Sequence, residues 1–129
     1  MCGNCCSGSP GFVVVSDEEC EKLAARLGED VETFKRRRTH MMSERRSLNE
    51  RAGEHGLDCI FLDRHAVAGK AVCGVYEDRP AQCRTWPFWP SLLQSREMWE
   101  RAKRTCPGID KGTLIPIESV RVLRDQVKI

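Results

Sequence analysis

Eight cysteines, at positions 2, 5, 6, 20, 59, 73, 83 and 106, are the residues of this chain with the most chemistry to offer. Cys2, Cys5 and Cys6 form a C-x2-C-C knot in a Gly/Ser-rich start, and Cys59, Cys73, Cys83 and Cys106 follow at long intervals. Where thiols stay reduced, this pattern reads as metal binding or redox work rather than a disulfide framework. Two intervening residues let the sulfurs of C-x2-C turn onto one centre at about 2.3 Å. Vicinal Cys5 and Cys6 suit a single ion less well, because neighbours on an extended backbone point to opposite sides. They suggest two adjacent centres or a polynuclear cluster. Thiolates with no interleaved histidine favour zinc, iron–sulfur or Cu(I) over hard cations. Cys20 stands apart. It shares an apolar stripe with Leu23, Ala24 and Leu27 at helical spacing, which marks a core residue and leaves seven candidate ligands.

A length of 129 residues and a mass of 14.7 kDa set the expectation of a single domain, 1–129. The chain carries 21 Lys+Arg against 19 Asp+Glu, a formal charge of +2. That balance gives no whole-chain argument for nucleic acid or an anionic membrane. The longest apolar run, Phe12 to Val15, is far below the roughly 18 residues of a membrane helix. Met1 to Cys6 has neither a basic n-region nor an apolar h-region. The expectation is therefore a cytoplasmic chain with no membrane partner.

The elements that must position the thiols follow from local signals. Ser16 with Glu19 reads as a capping box and Gly28 as a C-terminal stop, which predicts a helix over about 17–27. Asp30 caps a second helix with Val31, Phe34, Met41, Met42 and Leu48 as its buried positions. The basic residues of 35–46 lie between them, and with no aromatic interleaved they read as a solvated helix face. Gly53 to Asp58 is a turn-rich break. Cys59 to Asp63 and Ala71 to Tyr76 predict a β-hairpin that brings Cys59 and Cys73 together. Pro80 opens a short helix carrying Cys83 and Arg84. Trp86-Pro87-Phe88-Trp89-Pro90 is too proline-rich for regular helix and reads as a rigid aromatic cover. Ser95 caps a helix through Arg104, and Ile117, Val120, Leu123 and Val127 predict a C-terminal helix over about 116–127. The fold class is α+β, mainly α with a short β-hairpin and irregular loops organised around a cysteine-ligated metal centre.

The order of motifs resembles the YkgJ-type cysteine-cluster family of CxxCC proteins, described as zinc- or iron-chelating. The resemblance rests on Cys2-x2-Cys5-Cys6, Cys59-Ile60-Phe61-Leu62, Cys73-x2-Tyr76-x2-Arg79-Pro80-x2-Cys83-Arg84-x2-Pro87-Phe88, and Cys106-Pro107-Gly108. It spans residues 2 to about 110. It implies Cys2, Cys5, Cys6, Cys59, Cys73, Cys83 and Cys106 as metal ligands and leaves Cys20 outside the motif. It also implies that Tyr76, Arg79 and Arg84 surround the centre. A guanidinium near thiolates lowers their pKa and offsets the charge of the site, and a tyrosine hydroxyl can donate to a sulfur or a carbonyl. His40, His55 and His65 lie off the motif and read as solvent-exposed loop residues, His65 being the best placed of them to serve as an eighth ligand.

Three functions follow from this reading. The first is a metal-binding protein with an iron–sulfur cluster, 4Fe–4S ahead of zinc, serving electron transfer to a protein redox partner or metal handling. The second is a redox enzyme that works through an exposed cluster, although no nucleotide-binding Gly-rich loop, nucleophile elbow or HExxH occurs. The third is a zinc-stapled module that presents residues 35–46 to nucleic acid or an acidic partner.

Overall fold

The computed structural model describes residues 2–129 and has a mixed α+β fold. The chain divides into two compact units, Met1–Pro80 and Ala81–Ile129.

The first unit is built on two capped helices and three small antiparallel sheets. Helix α1 spans Asp17–Leu27 with the expected capping box: Ser16 Oγ accepts from the Glu19 N–H, and Glu19 returns a bond to the Ser16 N–H. Gly28 closes the helix in the left-handed region, φ 65, a conformation that a residue with no Cβ adopts cheaply. Cys20, Leu23 and Ala24 are buried on its inner face. They share the core with Val15, Phe34, Leu48, Phe61 and Val75.

Helix α2, Val31–Arg38, is capped by Asp30 as expected but stops eight residues in. Thr39–Met42 and Arg45–Leu48 are not its continuation. They form the strands β2 and β3 of a hairpin in the register Thr39↔Leu48 to Met42↔Arg45. The expectation of Met41 on a buried helix face fails with it, since Met41 is 54% exposed. Phe34 and Leu48 are buried as expected, although Leu48 gets there from a strand. Phe12–Val15 lies along β3 through Leu48 N–H to Val13 O and Val15 N–H to Arg46 O, with a single bridge at Val14↔Ser47.

The turn-rich break at 53–58 is a second hairpin, of β4 (Glu50–Gly53) and β5 (Gly56–Cys59). Strand β1 (Ser7–Gly8) joins the other edge of β5, giving the order β1-β5-β4. The hairpin expected between the Cys59 and Cys73 segments is present but displaced. β6 (Leu62–Asp63) pairs with β7 (Val72–Cys73), so Leu62 faces Cys73 while Cys59 faces Glu50. Strand therefore takes a larger share than one short hairpin.

In the second unit, α3 (Ala81–Thr85) follows Pro80 directly. The aromatic segment contains no α-helix and only a 3-10 turn at Pro90–Leu92. Ser95 Oγ accepts from the Met98 N–H at the start of α4 (Arg96–Thr105), as the sequence predicts. α5 runs Ile117–Arg124, three residues short of the expected end, and none of its residues is buried. No helix of the described residues is long and apolar enough to cross a membrane.

Candidate metal centre

Asn4–Cys6 forms a 3-10 turn rather than the extended backbone assumed from the sequence. A 3-10 turn advances about 120° per residue instead of alternating sides, and the two vicinal thiols meet, Cys5 Sγ to Cys6 Sγ 3.7 Å. The argument against one shared ion therefore loses its premise. Thiolates at about 2.3 Å from one tetrahedral ion stand about 3.8 Å apart, close to the spacing seen here. Thiolates on separate corners of a cubane radiate outward and stand wider.

Gly3 makes this turn compatible with its surroundings. Its φ is +70, and a Cβ there would lie 2.5 Å from Ala71 Cβ. The knot is thereby held against the residue that precedes β7, whose second residue is Cys73.

Cys59 ends β5 and Cys73 ends β7. The two are arranged alike, each with the backbone N–H two residues ahead, of Phe61 or of Val75, hydrogen-bonded to the sulfur. Such donors stabilise a thiolate and tune metal–sulfur centres. The link between the two loops is direct, Gly74 N–H to Phe61 O 2.8 Å. Cys5 lies within electrostatic reach of both Cys59 and Cys73. Cys5, Cys6, Cys59 and Cys73 are thus linked through Cys5, and Cys2 is exposed.

Their acidities differ for physical reasons. The Cys6 thiol hydrogen-bonds Cys5 and, with backbone N–H and the Arg79 guanidinium, outweighs burial to bring Cys5 down to about 6. Burial pushes Cys59 and Cys73 up. At neutral pH the metal-free protein therefore holds Cys5 as a thiolate beside neutral Cys59 and Cys73. In that protein, Cys5 should be the first thiol alkylated by iodoacetamide. Because its pKa is lowered to about 6, the rate should rise through pH 6 and level off above about pH 7. Mass mapping that shows modification still climbing through pH 8–9 at Cys5 would contradict this charge distribution.

Of the residues that the resemblance places around the centre, Tyr76 and Arg79 pack on each other. Arg79 lies 3.7 Å above the Tyr76 ring and donates to the Tyr76 carbonyl, 2.9 Å, and its charge acts on Cys5 and Cys73. Tyr76 is thus the platform beneath the Arg79 guanidinium. Arg84 sits next to Cys83 on α3 in the second unit. Cys106 is the C-cap of α4, its N–H donating to Ala102 O at 2.9 Å. His40 is hydrogen-bonded to Asn49, and the backbone N–H of His65 donates to Asp63. Among the described residues no three His, Cys, Asp or Glu side chains converge as a ready-made metal site, and no disulfide occurs. The Cys5–Cys6 pair is preformed; the donor set as a whole is not.

One support of the site gave no signal in the sequence. Asp58, next to Cys59, is 4% exposed and takes a bidentate grip from Arg64, Nε to Oδ2 3.0 Å and Nη2 to Oδ1 2.9 Å. The same Nη2 donates to Ser7 Oγ, next to Cys6, at 3.0 Å. The Arg64 guanidinium, with Ser7, holds the Asp58 carboxyl down to about 2. The basic stretch is partly engaged within the chain. Lys35 pairs with Asp17 at 2.7 Å and Arg38 with Glu29 at 2.6 Å.

Residues 1–107 match the family described as "CxxCxxCC: Putative zinc- or iron-chelating domain". The chain belongs to the CxxCxxCC family. Cys2, Cys5 and Cys6 carry the last three cysteines that the family's name spells. The match takes in every cysteine of the chain and ends before α5, and it supports metal binding. No solved structure matches. The donor chemistry fits the family description: a neighbourhood of sulfur, one preformed thiol pair, backbone N–H aimed at two of the sulfurs, and a guanidinium to offset charge.

Proposed function

We propose that this CxxCxxCC protein holds one metal ion through Cys5, Cys6, Cys59 and Cys73, and that the ion is zinc. The observation that carries the reading is the 3.7 Å spacing of Cys5 and Cys6 Sγ, which suits two thiolates on one tetrahedral ion. Zinc supplies a redox-inert crosslink when bound. The chain's own residues do the rest: Arg79 offsets the negative charge of four thiolates, and the Phe61 and Val75 N–H groups fix two sulfurs. Binding displaces the protons of Cys59 and Cys73, so affinity should fall as pH falls. Metal handling or a structural role follows from this chemistry. Electron transfer follows only from the runner-up, an iron–sulfur cluster that draws on the wider set Cys2, Cys83 and Cys106.

The test is anaerobic purification of the full chain with metal analysis, acid-labile sulfide determination and absorption spectroscopy. A colourless protein with one zinc per chain and four thiols shielded from a thiol reagent is the expected result. Two zinc ions per chain would overturn the single-ion reading. A brown protein with iron and sulfide in equal amounts would replace zinc by a cluster.

A further inference from the structure

The second unit contains a cleft of about 590 Å³, and although Cys106 is part of its lining, the zinc site proposed above takes no ligand from it. We propose that it binds a small, flat, apolar molecule carrying one negative charge, such as an aromatic carboxylate. Its volume lies inside the roughly 300–1,000 Å³ that enclose a small-molecule ligand. Trp86, Phe88, Leu93, Trp99 and Ile109 make the walls. Phe88 and Trp99 are stacked, centroids 6.0 Å apart and planes at 15°, so together they offer a surface on which a third ring can stack. Trp86 is braced from behind. It meets Trp89 edge-on at 4.7 Å, and Trp89 Nε1 donates to Gln82 O at 2.8 Å. The wall is thus set before any ligand arrives, which lowers the ordering cost of binding.

Charge selects the anion. Two lining residues of opposite sign sit side by side, Asp110 and Lys111. Asp110 is neutralised by Lys103, whereas Lys111 makes no ion pair among the described residues. Residues 81–129 carry nine Lys+Arg against five Asp+Glu, so the field of this unit favours a negative ligand. An apolar stacking surface with one uncompensated ammonium at its edge fits a ring system bearing a carboxylate or sulfonate better than a neutral or cationic ring.

Two probes of nearly equal shape separate the contributions. The full chain is titrated with 1-anilinonaphthalene-8-sulfonate and with uncharged N-phenyl-1-naphthylamine. Probe emission is read together with quenching of the protein's tryptophans, all three of which lie in this unit. The expected result is saturable binding of one probe per chain, with the sulfonate about fivefold tighter at low salt. Lys111→Ala, a change at an exposed position, should remove that advantage and leave the neutral probe unaffected. Trp99→Leu should weaken both probes. Equal affinities for the two probes, an unchanged sulfonate preference in Lys111→Ala, or non-saturating uptake of many probes per chain would each overturn the proposal.

Discussion

Replacing Cys73 by serine is expected to strip the protein of its metal, with stoichiometry falling from one ion per chain to below about 0.1. A hydroxyl is a far poorer ligand for a soft site than a thiolate, and structural metal contributes folding energy directly. The loss should therefore appear in stability as well. The β6–β7 pair is only two residues long on each side and rests on little besides its packing and the centre. Cys20→Ser is the matching control. Cys20 is 0% exposed on α1 among Leu23, Phe34 and Val75, so a hydroxyl there costs about 1–3 kcal/mol through burial of a polar group while metal content stays at one. Metal analysis and urea denaturation of the two variants side by side decide the matter. Equal metal loss in both would overturn the ligand assignment.

The second large effect is expected at Asp58. Asp58→Ala should destabilise the protein by about 3 kcal/mol, the lower end of the range for removing one partner of a buried pair, because it leaves the Arg64 guanidinium without its carboxylate. Arg64 retains 24% side-chain exposure against 5% for Asp58, which limits the penalty. The pH dependence has a fixed sign. The folded carboxyl sits lower than the unfolded one, so the stabilisation is complete above about pH 4 and disappears as pH falls through about 2. The pair also ties Ser7, next to Cys6, to the strand that ends in Cys59. Metal release to a chelator should therefore quicken in Asp58→Ala even at neutral pH. Chemical denaturation with a double-mutant cycle against Arg64→Met measures the coupling. A change below about 0.5 kcal/mol, within the scatter of ordinary surface substitutions, would show that the pair is not what fixes these strands.

Helix α1 was legible in the sequence because each of its signals is local: Ser16 and Glu19 for the start, Gly28 for the stop, and the Cys20–Leu23–Ala24 stripe for the buried face. α4 was legible for the same reason at Ser95. The end of α2 was not, because no Gly or Pro marks it. The following hairpin turns at Ser43-Glu44 with Ser43 at φ 53, a conformation that turns usually assign to Gly or Asn. Its strands include THMM and RRSL, whose polar residues give no alternating pattern of the kind that betrays a half-buried strand. At the centre, residue types and motif order singled out the thiols. What no spacing rule contains is register, and register puts Cys59 opposite Glu50 while Cys73 faces Leu62. The grip of Arg64 on Asp58 and Ser7 escaped for a related reason. It joins residues far apart in the chain, and only the paired strands bring them together.

The Gly3–Ala71 contact bears on how this chain can change over generations. The two residues occupy one small volume, 68 positions apart, so a side chain at either site is charged against the other. A lineage that acquires any Cβ at 3 meets both Ala71 and an unfavourable φ. Ala71→Gly would relieve only the first of those two obstacles. A side chain at position 3 therefore needs both a smaller residue at 71 and a left-handed backbone, which costs a non-glycine residue about 1–2 kcal/mol.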